Sequence, residues 1–439
     1  MKLLLLDYYG TDGMLDFAMR AKEAGHDVRW FFKRDDRNVL VGKGLVTRVA
    51  DWREHMRWAD LVMLADNTHY LIELDRWRKE GVPVIGATQE SATWELNRKT
   101  GQDMFKKAGI PVPPFREFTR YDDAIAYVKK EGRAFVSKPS YDESDKSLSY
   151  VGKTPADMVY MLQRWKKQAK LKGAFILQEK IKGCEMAVGA WVGPHGFNSG
   201  YCENWEFKSL MAGDRGPNVG EMGTVVRYVA KSKLADKVLH PLEDMVVRTG
   251  HTGYFDVNCI IDEDGDPWPL EFTMRPGWPT FNIQQALNKG DPVEWLATLA
   301  AGRDSRPWLL DKLSTGVVMA LPEFPYGKTP IEKMVGVPIQ GITPSMHDNL
   351  HPCQIQMGHA PTDQGEDVVD KPCWLTAGDY VLVASGLGDS VRQSRGRAYR
   401  ILEKIQVPAS PFWRPDIGQR LKEQLPEIQK HGYASNMSF

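Results

Sequence analysis

Apolar and polar positions along the first ninety residues fall into blocks that read as strands joined by helices. Leu3 to Leu6 form a short apolar run, the length of a buried parallel strand. Gly10 and Gly13 follow, and Met14, Leu15, Phe17, Ala18 and Ala21 then recur at helical spacing up to Gly25. Val28–Phe32, Leu61–Leu64 and Val82–Ile85 read as further strands, with a helix over 69–80 before the last. Such alternation predicts a parallel sheet with crossover helices, an α/β domain at residues 1–90.

From Glu90 the pattern changes. A helix is expected over 91–108, closed by Gly109, with Pro111, Pro113 and Pro114 beyond. Ala134–Lys138, Phe175–Glu179 and Met186–Val192 read as strands, 155–169 as a helix and Ala212–Gly223 as a Gly-rich polar loop. Simple alternation is lost, so 91–315 is expected to be an α+β domain. A smaller domain is expected over 316–420, with a strand at Tyr380–Ala384 and a helix over 389–405. Residues 421–439 read as a helix and a frayed tail.

The densest chemistry lies in residues 253–273, two strand-like runs around an acidic, Gly-containing turn, which predicts an antiparallel hairpin. Alternation puts Phe255, Val257, Cys259, Ile261, Leu270 and Phe272 on an apolar face, and Asp256, Asn258, Glu271 and Thr273 on the other. A turn centred on Glu263–Asp264 sets Asp256 opposite Glu271. Facing carboxylates repel, and a bound cation removes that penalty. Oxygen ligands of this type suit Mg²⁺. A solvent-facing acidic hairpin without a ligand is the alternative.

Bulk properties narrow the class. Lys+Arg and Asp+Glu are both 57 in 439 residues, and there is no long basic block, so nucleic acid is not expected as a partner. Cys184, Cys202, Cys259, Cys353 and Cys373 are odd in number and scattered, which fits a reducing, cytoplasmic compartment. Four N-terminal leucines are too few for a signal-peptide core, and no apolar run could span a bilayer.

Several stretches, in order, resemble the ATP-grasp superfamily and, within it, the phosphoribosylamine–glycine ligase family. The resemblance runs from about residue 60 to 420. Gly81-Val-Pro-Val-Ile-Gly-Ala-Thr88 is similar to the junction before the ATP-binding domain. Asn97-Arg98-Lys99 with Phe105-Lys-Lys-Ala-Gly-Ile-Pro111 resembles the phosphate-binding lysine and its helix, with Arg98 at the aligned position. Phe135-Val-Ser-Lys138-Pro resembles the strand whose lysine contacts nucleotide phosphates, and Ile176–Glu185 the adenine hinge and ribose-contacting glutamate. Lys208 and Asp214-Arg-Gly-Pro-Asn-Val-Gly-Glu-Met-Gly223 resemble the loop that serves the amino acid. Leu270-Glu-Phe-Thr-Met-Arg275-Pro-Gly277 resembles the strand with the magnesium-binding Glu and the following arginine. Gly378–Gly388, Arg397-Ala-Tyr399 and Arg414-Pro-Asp-Ile-Gly418 resemble the C-terminal domain.

The resemblance implies an ATP-grasp fold preceded by a parallel α/β domain and followed by a small C-terminal domain. It implies ATP with Mg²⁺ or Mn²⁺, and an acyl phosphate attacked by an amine. Arg98, Lys99, Lys138, Glu179, Lys180, Ile181 and Glu185 would bind the nucleotide. Glu271, Asp256, Asn258 and Thr273 would bind the metal. Arg275, Lys208 and Asp214 would be catalytic, with Asp214 on the glycine ammonium. Small molecules, glycine and an amine, are the expected partners of a monomer or homodimer.

Departures from the family pattern bear mostly on the amine. The flap at Tyr141–Leu148 lacks glycine, so Lys146 or Ser147 would have to stand in for its backbone amides. The second metal-ligand Asn is Thr273. Tyr8-Tyr-Gly-Thr-Asp-Gly13 replaces the N-terminal Gly-Gly-Arg-Glu-His signature, and Asp379 replaces an arginine. The last two fall where the family holds phosphoribosylamine. A ligase of the same fold acting on another amine, such as a modified nucleotide or peptide-like acceptor, is therefore an alternative. A non-catalytic nucleotide-binding protein is a second.

Overall fold

Five parallel strands, β1 (Lys2–Leu6), β2 (Asp27–Phe31), β3 (Thr47–Val49), β4 (Leu61–Leu64) and β5 (Val84–Ile85), lie in the order β3-β2-β1-β4-β5. This is the sheet that alternation predicts. Leu3 and Leu5 pack with Met14–Ala21 of the helix Met14–Glu23 on one face, and Leu4 and Leu6 with Leu71 and Leu74 on the other. The strand order reverses between β1 and β4. Loops leaving the two strands diverge there, which opens a crevice at their C-terminal ends. The structure, a computed structural model, describes all residues except 11–12, 34–37, 141–148, 169–172, 199, 327–332 and 365–366. The flap expected at 141–148, with Lys146 and Ser147, and Thr11 and Asp12 of the N-terminal loop lie outside the described residues.

The helix expected over 91–108 is two helices, Gln89–Leu96 and Arg98–Lys107. Asn97 breaks them with φ −115° and ψ 102°, and its side chain caps the second through the Thr100 amide at 3.0 Å. An interior Asn that prefers capping is the physical reason for the break.

A four-stranded sheet follows, in the order β6 (Phe115–Phe118), β9 (Phe175–Glu179), β7 (Phe135–Pro139), β8 (Tyr150–Val151). The helices Tyr121–Glu131 and Pro155–Lys167 pack against each other over one face, around Phe118, Phe135, Trp165 and Phe175. Val136, Lys138, Ile176 and Gln178 alternate onto the opposite face.

The largest sheet is antiparallel. Its order is β17 (Pro267–Thr273), β16 (Gly253–Ile261), β10 (Cys184–Gly193), β12 (Tyr201–Glu206), β15 (Gly223–Val229), β18 (Leu313–Ala320), β23 (Tyr380–Gly388), β20 (Leu350–Pro352), with β11 (Gly196–Phe197) on β10. The ladder runs through the expected 315/316 boundary, because β15 pairs with β18 and β18 with β23. Two small sheets complete the fold. One is β19 (Val335–Ile339), β22 (Asp367–Ala377) and β21 (Ile355–Gln364). The other pairs β13 (Ser209–Met211) with β14 (Arg215–Asn218), so the expected Gly-rich loop is largely a hairpin.

The chain end is not frayed. Leu421, Leu425 and Ile428 of the helix Leu421–Gln429 are buried, as are Tyr433 and Met437. The Tyr433 hydroxyl donates to the Gly265 carbonyl at 2.8 Å, which docks the segment under the 253–273 hairpin. Apolar side chains at helical spacing supply the burial that a tail lacks. Among the described residues no helix is long and apolar enough to cross a membrane.

Candidate active site

The hairpin forms, but in a different register from the expected one. Asp256 lies opposite Thr273, and Asn258 opposite Glu271. Between Asn258 and Cys259 the register shifts, because Leu270 is an extra residue on β17. Pro267 and Pro269, which have no N–H, sit on this edge strand, where proline is tolerated. The bulged Leu270 carbonyl accepts from Gln102 Nε2 at 3.3 Å. The facing Asp256–Glu271 carboxylates expected from a symmetric turn therefore do not occur.

Glu271 instead faces cations. Arg98 Nη2 lies 3.6 Å from Glu271 Oε2, and Lys208 Nζ 3.6 Å from Oε1. Arg98 is placed by its helix, which packs at Gly101 and Phe105 against Phe272; the two phenyl rings stack at 4.0 Å. Lys208 also reaches Glu185 Oε1 at 2.8 Å and Glu206 Oε2 at 3.1 Å. Burial pulls the Lys208 ammonium down, but Glu185, Glu206 and Glu271 outweigh it and hold it well above its usual range. Burial raises the Glu206 carboxyl despite Lys208.

Asp256 is an interior carboxylate. Asn204 Nδ2 and the Tyr254 hydroxyl donate to Oδ2 at 2.9 and 3.0 Å. A Cβ at Gly189, on the neighbouring strand, would collide with Tyr254 and Asp256, so glycine lets both side chains cross β10. Burial, then Glu206, push the Asp256 carboxyl up to about 7. Asn258 Nδ2 donates to Glu206 Oε2 at 2.8 Å. The Oδ1 atoms of Asn204 and Asn258 are buried acceptors that no described donor reaches.

Arg275 follows β17. Its Nε donates to Glu95 Oε1 at 3.2 Å, while Glu95 Oε2 accepts from the Met274 amide at 2.6 Å and Asn67 Nδ2 at 2.7 Å. Glu95 thereby ties the arginine to the loop after β4. At the other side of the cleft, residues 180–183 carry the chain from the four-stranded sheet to the large one. A Cβ at Gly183 would run into the Ile261 carbonyl, so only glycine passes there. The Glu179 side chain pairs with Arg133 at 2.7 Å and Lys180 Nζ donates to the Gly152 carbonyl at 3.2 Å. Ile181 lies in the connecting segment, Glu185 on β10 and Lys138 on the cleft face of β7. Lys99 points outward to Asp103 at 3.0 Å.

Asp214 is not gathered into this group. It sits in the β13–β14 turn with φ 54°, half-exposed, and its carboxylate accepts from Arg414 at 2.7 Å and Arg420 at 3.3 Å. Three residues that the sequence did not single out are gathered instead: Glu95, Glu206 and Glu221. Glu221 is 7% exposed, and its Oε2 accepts from the hydroxyls of Thr224 and Thr280. A carboxylate just before Met222-Gly223 was the available signal. Glu206 carried one too, two residues before Lys208.

Among the described residues no three His, Cys, Asp or Glu stand close enough to cage a metal. Mg²⁺ needs no such cage, since one or two carboxylates suffice when phosphates and water complete its shell. Glu271 and the bare Asn258 Oδ1 opposite it are hard oxygen donors and fit that role.

A crevice remains at the first sheet's C-terminal edge. The Tyr8 and His69 rings stack there at 3.3 Å, with Tyr9 edge-on to Tyr8 at 5.1 Å. Lys33 Nζ donates to the Tyr8 hydroxyl at 2.9 Å, and Asp66 accepts from the Thr68 and His69 amides. Tyr70 is held at φ 61°.

Residues 97–280 match the family described as phosphoribosylglycinamide synthetase, ATP-grasp (A) domain. A phosphoribosylamine–glycine ligase of Salmonella typhimurium is 25% identical over 401 residues, covering 88% of this chain and 89% of that protein. One from Halalkalibacterium halodurans is 26% identical over 424 residues, covering 94% and 90%. The crystal structure of phosphoribosylamine–glycine ligase from Thermotoga maritima superposes with a TM-score of 0.70 at 19% identity, over 95% of this chain and all of that one. Residues 97–280 therefore match an ATP-grasp domain, and the chain is similar over most of its length to phosphoribosylamine–glycine ligases.

Proposed function

We propose that this chain is an ATP-dependent ligase that joins the carboxylate of glycine to an amine through an acyl phosphate, as a ligase of the phosphoribosylamine–glycine type. The observation that carries the reading is Glu271 set between Arg98 and Lys208, on the strand that Arg275 follows. A carboxylate repels a nucleophile and has no leaving group. Phosphorylation supplies one, and that transfer needs positioned charge more than covalent help.

The roles follow. Arg98 and Lys138 neutralise the nucleotide phosphates, with Lys99 at the rim. Glu179, Lys180 and Ile181 border the base, and Glu185 the ribose. Glu271, with Asn258, and with Asp256 and Thr273 on the same face, would hold Mg²⁺ or Mn²⁺. That ion, when bound, neutralises charge on the phosphates. Arg275 stabilises charge developing at the phosphoryl or acyl oxygen. Lys208 offsets the carboxylates around the acid. The amine attacks the acyl carbon, and phosphate leaves as the amide forms. We place this reaction in the cytoplasm.

The test is ADP release with ATP, Mg²⁺, glycine and phosphoribosylamine. ADP forms only when acid and amine are both present, and Glu271→Ala abolishes it. ATP binding without turnover for any acid–amine pair would sink the reading. A second reading keeps the chemistry and changes the amine. It is favoured by the Tyr8–His69 stack, where the relatives' Gly-Gly-Arg-Glu-His signature is absent.

A further inference from the structure

The large sheet's polar face gathers more carboxyl groups than its own cations pair with, and burial, then Glu206, hold Glu221 well above the usual carboxylate range. Glu185, Glu206, Glu221, Asp256 and Glu271 converge there on Lys208 and Arg98. One side of this excess is the Glu271–Asn258 pair already described. The other has no role in the mechanism above. It consists of Glu206 at the end of β12 and Glu221 in the bend before β15.

The two carboxylates are neighbours by register. Glu206 pairs with Thr224, and the Thr224 hydroxyl donates to Glu221. Both threonine hydroxyls that reach Glu221 go to Oε2, so neither engages Oε1. Asn204 stands two residues before Glu206 on the same face of β12. It is 1% exposed, gives its amide N–H to Asp256, and is left with a carbonyl oxygen that no described donor reaches. Two carboxylates and a bare amide carbonyl call for a group that brings donors and positive charge. A primary ammonium brings three donors and one charge.

We propose that Glu221 and Glu206, with Asn204 Oδ1, bind the ammonium group of the amino-acid substrate. This rests on the ligase reading and deepens it. Asp214, the residue that resemblance suggests for the task, is already neutralised by Arg414 and Arg420. An ammonium there would have to compete with two guanidinium groups. In an α-amino acid the ammonium nitrogen and the carboxyl carbon are two bonds apart, roughly 2.5 Å by ordinary bond lengths. Seating the ammonium at Glu206 brings the reacting carboxylate next to Lys208, 3.1 Å from that same glutamate. Acids of the same size without an amino group, such as acetate, leave Asn204 Oδ1 without a donor and Glu221 without a counter-charge, and are rejected.

The experiment uses the full chain and measures ADP release against glycine and ATP concentration. The wild type, Glu221→Gln, Glu206→Gln and Asp214→Asn are compared, with thermal unfolding as a check on folding. For Glu221→Gln the KM for glycine rises about 10- to 100-fold, as for loss of a buried charged hydrogen bond, while the KM for ATP moves less than about 2-fold. Its preference for glycine over acetate falls by a similar factor. Glu206→Gln shows the same pattern and keeps the test alive should Glu221→Gln fail to fold. An unchanged glycine KM in both glutamine variants, with a raised one in Asp214→Asn, overturns the assignment and leaves the ligase reading standing. Wild-type protein that releases no ADP with any amino acid overturns both.

Discussion

Asp16 and His351, 335 positions apart in the chain, meet at 2.8 Å between Oδ2 and Nδ1. The contact joins the helix after β1 to β20, and both side chains are fully buried. Arg20 Nε donates to the other Asp16 oxygen at 2.7 Å, and His351 Nε2 lies 2.9 Å from Ser385 Oγ. The order Asp–His–Ser has the parts of a hydrolytic triad, but Ser385 is closed off from any substrate. Its role is to fasten the first sheet to the end of the largest one. Asp16→Ala leaves His351 and Arg20 without their acceptor and should cost about 3 kcal/mol, read as a lower urea midpoint. An unchanged midpoint would show that the network contributes nothing net.

His251 should weaken the fold in acid over a defined window, against the opposite contribution of the raised Asp256 carboxyl. Burial holds His251 at about 4, against 6.5 for a free imidazole, and burial also lowers His351 despite Asp16. Between those values an unfolded imidazole takes up a proton that the native one refuses, so the His251 contribution to stability falls as pH drops from 6.5 towards 4. His251 alone accounts for about 3 kcal/mol across that span. Asp16, held below the usual carboxylate range by Arg20 and His351 against the opposing effect of burial, adds its loss only below pH 3.8. Denaturant midpoints measured against pH should therefore fall for the wild type relative to His251→Asn as pH drops from 6.5 towards 4. Parallel curves for the two proteins would refute this.

Glu95 should matter to catalysis without touching substrate. It fixes Arg275, the Met274 amide and Asn67 together. Glu95→Gln keeps the shape and removes the charge that orients the guanidinium. We expect kcat to fall about 10- to 100-fold with the ATP KM little changed, since an arginine misplaced by an ångström loses much of its effect. Full turnover in Glu95→Gln would mean that Arg275 is held by other contacts.

Tyr8 and His69 should report on the amine. Their stack lies where loops after β1 and β4 part. Tyr8→Ala is expected to raise the KM for the amine about 10-fold while leaving those for ATP and glycine within about 2-fold, as loss of one aromatic contact predicts. A change in the ATP constant instead would move this crevice out of the acceptor's path.

The fold and the strands that frame the candidate site were legible in the sequence because local patterns carry them. Leu3–Leu6, the Phe135–Lys138 strand and the 253–273 hairpin each announce themselves by periodicity or by motif. The register of that hairpin was not legible, since its turn is centred on Asp264 and a one-residue bulge at Leu270 adds a further shift, and neither marks the alternation before the strands are paired. Asn97 hid a helix break inside one amphipathic run. Glu95, Glu206 and Glu221 look like ordinary surface glutamates in one dimension. Cross-strand pairing and the packing of the Gln89–Leu96 helix turn them inward. The setting of Asp214 was hidden in the opposite sense, because its partners Arg414 and Arg420 lie two hundred residues away.

The bond from Tyr433 to Gly265 has a consequence for how the molecule is made. Gly265 belongs to the acidic turn that joins Asp256 to Glu271, and His431 leaves no room there for a side chain. During synthesis the turn emerges long before residue 433 does. The nascent hairpin must wait for that late segment before its tip is braced.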